Sequence, residues 1–467
     1  MNMTTPHSAP SAKGWLTPQW MNVYAGALLI CEVFLLVVWC YEHYVLENPA
    51  IPAHGWDFAA YWSASRIALE HGPASAYDWN LLRLTEAKLL PPGIFGPFAY
   101  PPTFLLLIWP IGKLSLGIAL SAFSVCGTAL YLSALRQILS PFKMLWVIPA
   151  LAFPGLWVAI FAGQNSLITL AAAGAALVLL RRNALVAGAC IAMLCIKPQL
   201  GVLFPLFLLC TRQWAAIASA ALFSLLYFGL TWFAFGANTF VACLQSIGMF
   251  RESIVENGIA IMRGAPTIFA MLRVSGYTLP TAYLAHATVS LVVIATCAWL
   301  WRTRTRFELQ AAAFVVATLL LQPYLIYYDL VWLALPIAFL TRDYACHGCS
   351  GFEKAVLVLS WLIPVQGMLA VPFYAMHQWA PVVLIMILAV VARRALGSLR
   401  SMQRPALAEQ TKPIAIGSSP SQCPPLRSDQ RYRAPGTCAM TTLGSSRHYD
   451  RGTASGKRIE NFPTQPN

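Results

Sequence analysis

Charge is scarce in this sequence. Only 10% of its 467 residues are Asp, Glu, Lys or Arg, against roughly 25% in an ordinary soluble domain. With 58% of residues hydrophobic, no water-soluble core hides that much apolar surface. Also missing are the Walker phosphate loop, the dinucleotide glycine fingerprint and a His-Glu-x-x-His pair. ATP-driven pumping, nicotinamide redox chemistry and zinc proteolysis therefore have no motif behind them. The twelve cysteines fall mostly inside apolar runs as small hydrophobes and make no disulfide framework. Cys346-His347-Gly348-Cys349 has metal-like spacing, but a single such pair is too few ligands for a zinc site. No metal and no cofactor is expected.

What is present is long apolar sequence. Val23 to Cys40, Gly117 to Leu135, Trp214 to Phe235 and Leu279 to Trp301 are each near the roughly 20 residues of a spanning helix. The first run has no small-residue cleavage site behind it and reads as a retained helix rather than a signal peptide. The net charge of +14 invites a nucleic-acid reading, but many of the basic residues sit in short clusters between helices, where topology places them. No nucleic-acid partner is expected; membrane lipids are.

Lys and Arg near helix ends resist translocation, so the clusters orient the chain. Inside clusters are Lys13, Arg136 with Lys143, Arg181 with Arg182, Arg212, Arg302 with Arg304 and Arg306, Arg342 with Lys354, and Arg393 with Arg394. Lys113 is the exception. The alternation predicts an all-α, polytopic bundle of about 12 spans with both termini cytoplasmic. The spans at 199–211 and 328–341 are short enough to be half-helices. Residues 1–22 form a cytoplasmic N-terminal segment and 23–395 the transmembrane domain. Segments 41–116 and 236–278 are long outer loops. Within the first, Thr103 to Ile111 is apolar but too short to span, and is expected to lie along the interface. Residues 396–467 read as a disordered basic cytoplasmic tail. From Arg400 onward the tail holds ten Lys or Arg against four Asp or Glu, six of the fourteen net positive charges.

This topology gathers the polar motifs on one outer face. Asp57 stands in an aromatic stretch, where partial burial raises a carboxyl toward the range of a general base, and Tyr61 shares its helical face. Alternatively Asp57 caps a helix over 58–69. Lys197 ends an apolar run before Pro198; a cation there suits a phosphate, or it snorkels to the interface. Gln164 and Asn165 follow Gly163 and equally suit capping of a helix over 165–180. Asp329, after Tyr327 and Tyr328, equally suits capping of one over 330–341. Tyr100-Pro101-Pro102 and Gln199 belong to the same face. Arg251, Arg263 and Arg273 offer guanidinium groups to a phosphate, or are surface charges among lipid headgroups.

In order, Asp57-Phe58 with Tyr61-Trp62, Tyr100-Pro101-Pro102, Gly163-Gln164-Asn165, Lys197-Pro198-Gln199 and Pro323 to Asp329 resemble glycosyltransferase family 87. These are the polyprenyl-phosphate-mannose-dependent alpha-1,2-mannosyltransferase-like membrane proteins. The resemblance runs from about residue 20 to 395. It implies a GT-C fold with interfacial helices in the first outer loop, where the catalytic carboxylate sits; Asp57 matches that position. It implies a polyprenyl-phosphate-sugar donor, a lipid or glycan acceptor, and transfer of a hexose such as mannose with inversion at the outer face. Lys197 with Arg251 or Arg263 would hold the donor phosphate. Tyr61, Tyr100, Gln164, Asn165, Gln199, Tyr327 and Asp329 would line the substrate site. A transporter or flippase of lipid-linked glycans also uses many broken helices, but it predicts midplane charges and internal repeats. A glycan polymerase or ligase would lean on the outer-loop arginines instead of Asp57.

Overall fold

Proline and glycine cut the apolar sequence into helices of very unequal length. A computed structural model describes residues 18–48, 54–91, 94–370 and 378–408, and among these there is helix and turn but no strand. The segment before Pro18 and the tail beyond Ala408 lie outside the described residues. In chain order the helices are α1 (Pro18–Tyr44), α2 (Trp56–His71), α3 (Trp79–Glu86), α4 (Pro102–Ile108), α5 (Leu116–Leu139) and α6 (Val147–Leu151). They continue with α7 (Pro154–Ala162), α8 (Ser166–Leu179), α9 (Ala184–Ala192), α10 (Phe204–Cys210), α11 (Trp214–Phe250) and α12 (Ile259–Met262). The last six are α13 (Ile268–Val274), α14 (Leu279–Arg302), α15 (Phe307–Leu320), α16 (Ala334–His347), α17 (Gly351–Ala370) and α18 (Ala380–Ala408).

Among the described residues, five helical stretches are long and apolar enough to cross a membrane: Trp20–Tyr44, Leu116–Phe142, Trp214–Glu256, Leu279–Arg302 and Ala380–Leu399. The expectation of about twelve spans is not met at this length. Much of the remaining apolar sequence forms pieces of 10 to 17 residues, such as Ser166–Leu179 and Phe307–Leu320. Pro154, Pro198 and Pro205 remove backbone donors there, and such breaks survive where the freed groups face protein rather than lipid.

Short helices occupy the middle and long ones the outside. Almost every residue of α15 is buried, with Ala311, Ala312 and Ala313 at 0% exposure; small residues let backbones approach closely where lipid gives no hydrophobic drive for helix pairing. Phe314 of α15 packs on Phe204 and Phe207 of α10. α1, in contrast, shows Ile30, Phe34 and Leu35 to its surroundings. Where α9 crosses α11, a Cβ on Gly188 would fall 2.5 Å from the Ala220 nitrogen, and Ser219 donates to the Leu185 carbonyl at 2.8 Å. Cys243 and Cys297 pack as buried free thiols, whereas Cys346 is half of a disulfide.

Three boundaries differ from the sequence reading. The segment 236–278, expected as an outer loop, opens as helix: α11 kinks at Gly236 (φ 73°) and runs on to Phe250, followed by a π turn over Arg251–Glu256. Only glycine adopts that φ without strain. The expected span 328–341 begins as a 3₁₀ turn, Tyr327–Leu333, that feeds α16. α18 continues to Ala408, past residue 395, so the segment read as disordered from 396 starts in helix.

At one end of the bundle an ion-pair cluster ties α15 to α18. Buried Asp343 takes Arg306 at 2.8 Å and Arg394 at 2.7 Å. Glu353 takes Arg393 at 2.8 Å and Arg394 at 3.1 Å, and Arg342 pairs with Glu308 at 3.1 Å. At the opposite end the segment between α1 and α5 folds as α2, α3, α4 and the 3₁₀ turn Trp109–Lys113 around Phe58, Tyr61, Phe98 and Phe104.

Candidate functional site

α2 begins two residues earlier than a cap at Asp57 would require. Gly55, in the left-handed region at φ 77°, is its N-cap residue, and no side chain caps the helix. The Gly55 N–H donates to the Phe161 carbonyl at 2.8 Å, which fixes the start of α2 against the end of α7. α7 itself stops at Gly163, φ 71°, where a Cβ would lie 2.6 Å from the Phe58 Cβ. These two glycines bring Asp57 and Gln164 together. Gln164 donates from Nε2 to Asp57 Oδ2 at 2.8 Å.

The other end of the same amide collects two phenols. Gln164 Oε1 accepts from Tyr100 at 3.1 Å and from Tyr61, while the Tyr61 hydroxyl lies 2.7 Å from that of Tyr100. The rings stack edge to face, Tyr61 on Tyr100 at 5.1 Å and on Phe104 at 4.8 Å. Burial pushes both phenols upward, so they remain neutral donors. The segment carrying Tyr100 is held from outside by the second half of α11. Cys243 contacts the Tyr100 carbonyl, and Ser246 accepts from Trp79 at 2.9 Å and donates to the Phe98 carbonyl.

Asp57 lies deep among protein atoms yet keeps partial accessibility. Burial pushes its carboxyl up to about 6, against the opposing pull of the Gln164 hydrogen bond and the Lys197 charge; the Asp329 charge adds to the rise. A carboxylate near 6 is poised to take a proton at neutral pH.

Within electrostatic reach of Asp57 stands a buried ion pair. Lys197 Nζ donates to both oxygens of Asp329, at 2.6 and 2.8 Å, and Ser166 donates to Asp329 Oδ1 at 2.5 Å. Pro198 ends the preceding helical turn at Lys197, and the ammonium also lies 5.3 Å from the Tyr328 ring centre. Asp329 therefore does not cap a helix over 330–341; its carboxylate is spent on Lys197 and Ser166. An ammonium has three N–H donors, and one remains beyond the two on Asp329. Tyr324, Tyr327 and Tyr328 all feel the Asp57 charge. The Tyr327 N–H donates to the Gly264 carbonyl at 3.1 Å.

Asn165 precedes α8 without capping it. It is fully buried, and neither its amide nitrogen nor its amide oxygen has a hydrogen-bond partner in the protein. A buried unpaired amide costs about 1–3 kcal/mol, and such groups are completed by water, an ion or a ligand.

Other residues singled out in the sequence stand apart from this network. Gln199 is exposed, and its backbone carbonyl accepts from Gln322 at 2.8 Å. Arg251 is an exposed side chain paired with Glu256 at 3.1 Å, and Arg273 donates to the Tyr277 and Glu256 carbonyls, each at 3.0 Å. Half-buried Arg263 accepts at its backbone carbonyl from Gln378 at 2.6 Å. None of these arginines is among the charges that move Asp57.

Two residues escaped the sequence reading. Ser166 follows Gly163-Gln164-Asn165 directly, but at a helix start a serine reads as a cap. Glu86 had no signal at all. It is fully buried, accepts from the Gly96 N–H at 2.8 Å through Oε2, and leaves Oε1 without a partner. Burial pushes it up to about 7, with the Asp57 charge contributing after the opposing Gly96 bond. Among the described residues no group of three or more His, Cys, Asp or Glu is placed to hold a metal.

No curated protein and no solved structure matches this chain. Residues 98–323 match the model of glycosyltransferase family 87, a stretch that carries Tyr100, Gln164, Asn165 and Lys197 of the network just described. Over that stretch the chain is similar to glycosyltransferase family 87, and with its long apolar helices it reads as a membrane glycosyltransferase.

Proposed function

We propose that the chain transfers a hexose from a polyprenyl-phosphate carrier to a hydroxyl of a lipid or glycan acceptor, with Asp57 as general base. The observation that carries this reading is Asp57 itself, a buried but reachable carboxyl pushed up to about 6 and oriented by the Gln164 amide. In the step, the acceptor oxygen bonds to the anomeric carbon and its proton passes to Asp57. The bond from that carbon to the phosphate oxygen breaks, and the carrier leaves as a monophosphate. Attack opposite the leaving group inverts the anomeric centre.

The leaving phosphate gains charge, and a fixed cation stabilises it most where water is excluded. Lys197, buried and with one N–H beyond the two on Asp329, supports that role; Arg251 and Arg263 are farther candidates from the segment after α11. Mannose is the sugar that the resemblance suggests, and the unpaired Asn165 amide together with Tyr61, Tyr100 and Gln164 supplies hydrogen bonds suited to sugar hydroxyls. The reading adopts a GT-C architecture, an outer-face site and cytoplasmic termini. A transporter or flippase is the alternative, and the family match favours the transferase.

The test is transfer of labelled mannose from polyprenyl-phosphate-mannose into membrane lipid or glycan, with intact chain and Asp57→Asn compared. Incorporation that vanishes in the variant supports the reading. Undiminished incorporation in the variant removes Asp57 as the base, and no incorporation by the intact chain removes mannose from this donor.

A further inference from the structure

The end of α8 away from Asp57 carries a second polar site. Ser166 opens the helix beside Asp329, and Arg181 follows its last turn, about 20 Å away at 1.5 Å per residue. There a cavity of about 660 Å³ opens between α8, α10, α14 and α15. Arg181, Arg212, Arg302 and Arg304 line it, backed by Trp301 and Phe307, and no Asp or Glu is among its lining residues. The guanidinium of Arg181 lies 4.7 Å from the Phe307 ring centre.

Membrane topology accounts for arginines at this end of the bundle, but not for how they are divided. Arg306, Arg342, Arg393 and Arg394 are all paired with Glu308, Asp343 or Glu353. The four cavity arginines come from three separate connections and make none of the ion pairs found among the described residues. Arg212 also holds a left-handed backbone, φ 57°, a conformation that a bulky side chain rarely adopts and that recurs at ligand clamps. Like charges gathered without counter-charge repel one another unless an anion joins them.

We infer that this cavity binds a phosphate group, held by Arg181, Arg212, Arg302 and Arg304. Guanidinium forks match phosphate oxygens in pairs, and the aromatic wall suits the glycerol and first acyl carbons of an anionic phospholipid. A free phosphate offers the same oxygens. The inference is independent of the role of Asp57.

The test titrates the full-length purified chain in detergent with phosphatidylglycerol, with phosphatidylcholine and with inorganic phosphate, following the melting midpoint. Each basic side chain near an anionic headgroup contributes about fivefold in affinity. Arg302→Gln with Arg304→Gln is therefore expected to weaken binding about 25-fold, while Arg182→Gln, outside the lining, leaves it unchanged. Saturation by phosphatidylglycerol but not by phosphatidylcholine or phosphate assigns a lipid headgroup. Saturation by phosphate with no lipid preference assigns a free anion. Should the first double variant fail to fold, Arg181→Gln with Arg212→Gln reads the same cavity and predicts the same loss. No saturation by either phosphate probe, or equal binding by wild type and a folded double variant, overturns the inference.

Discussion

Replacing Asp57 by asparagine keeps the shape of the side chain and its contact with Gln164, but removes the only function that a base needs. General-base catalysis is worth about 10²- to 10⁴-fold, or about 3 to 5.5 kcal/mol of barrier, and kcat is expected to fall by that factor in Asp57→Asn. Stability should move the other way. A carboxyl pushed up to about 6 in the fold, against 3.8 for an ordinary aspartate, is disfavoured when ionised by at most about 3 kcal/mol, and its partial accessibility reduces that figure. Because the folded pKa is raised, the contribution of Asp57 to stability is complete below about pH 4 and is lost as pH rises through about 6. The asparagine variant carries no such loss, so at pH 7.5 it should melt higher than wild type, and at pH 4 the gap should close. Labelled-sugar transfer and intrinsic-fluorescence melts on one detergent preparation measure both. The wild-type rate should also fall about tenfold per pH unit below about 6. A variant with wild-type kcat, or a wild-type rate flat from pH 5 to 8, would falsify the assignment.

Gln164→Leu removes the hydrogen bond that lowers the Asp57 pKa, so the acid limb of the rate profile should shift to higher pH; a limb that stays put contradicts the orienting role of the amide. Asp329→Asn leaves Lys197, a side chain 6% exposed, without its counter-charge, and should destabilise the fold by about 3–5 kcal/mol. Adding Lys197→Met to Asp329→Leu should recover much of that loss in a melt, though not activity. Gly163→Ala places a Cβ 2.6 Å from Phe58 at a backbone φ of 71°, which costs about 1–3 kcal/mol, and the melting midpoint should drop while alanine at Gly117, where a Cβ meets nothing within 4 Å, has little effect.

The polar cluster was more legible in the sequence than the frame that holds it. Asp57, Tyr61, Tyr100 and Gln164 each stand where an apolar run or an aromatic stretch is interrupted, and interruption is visible residue by residue. Their hydrogen bonding follows from Gly55 and Gly163, whose positive φ values only the fold reveals. The arginines after α11 were equally visible but are satisfied locally: Arg251 by Glu256, Arg273 by carbonyls. Charge alone does not tell a guanidinium that faces a ligand from one that faces its own chain. Glu86 was illegible because a buried carboxyl and an exposed one look the same in a polar stretch. The count of about twelve spans is not confirmed, for a different reason. Hydropathy records how apolar a segment is, and not whether its neighbours are lipid or protein, so it does not separate a protein-buried helix of 14 residues such as α8 or α15 from a span.

That inequality of length decides which helix ends must be met by protein. α5 and α14, of 24 residues each, measure about 36 Å and outreach a hydrocarbon layer of about 30 Å. α8, of 14 residues, measures about 21 Å. The short helix falls about 9 Å below that thickness, so the groups at its polar end, Ser166 with Asp329 and Lys197, take their partners from protein rather than from lipid.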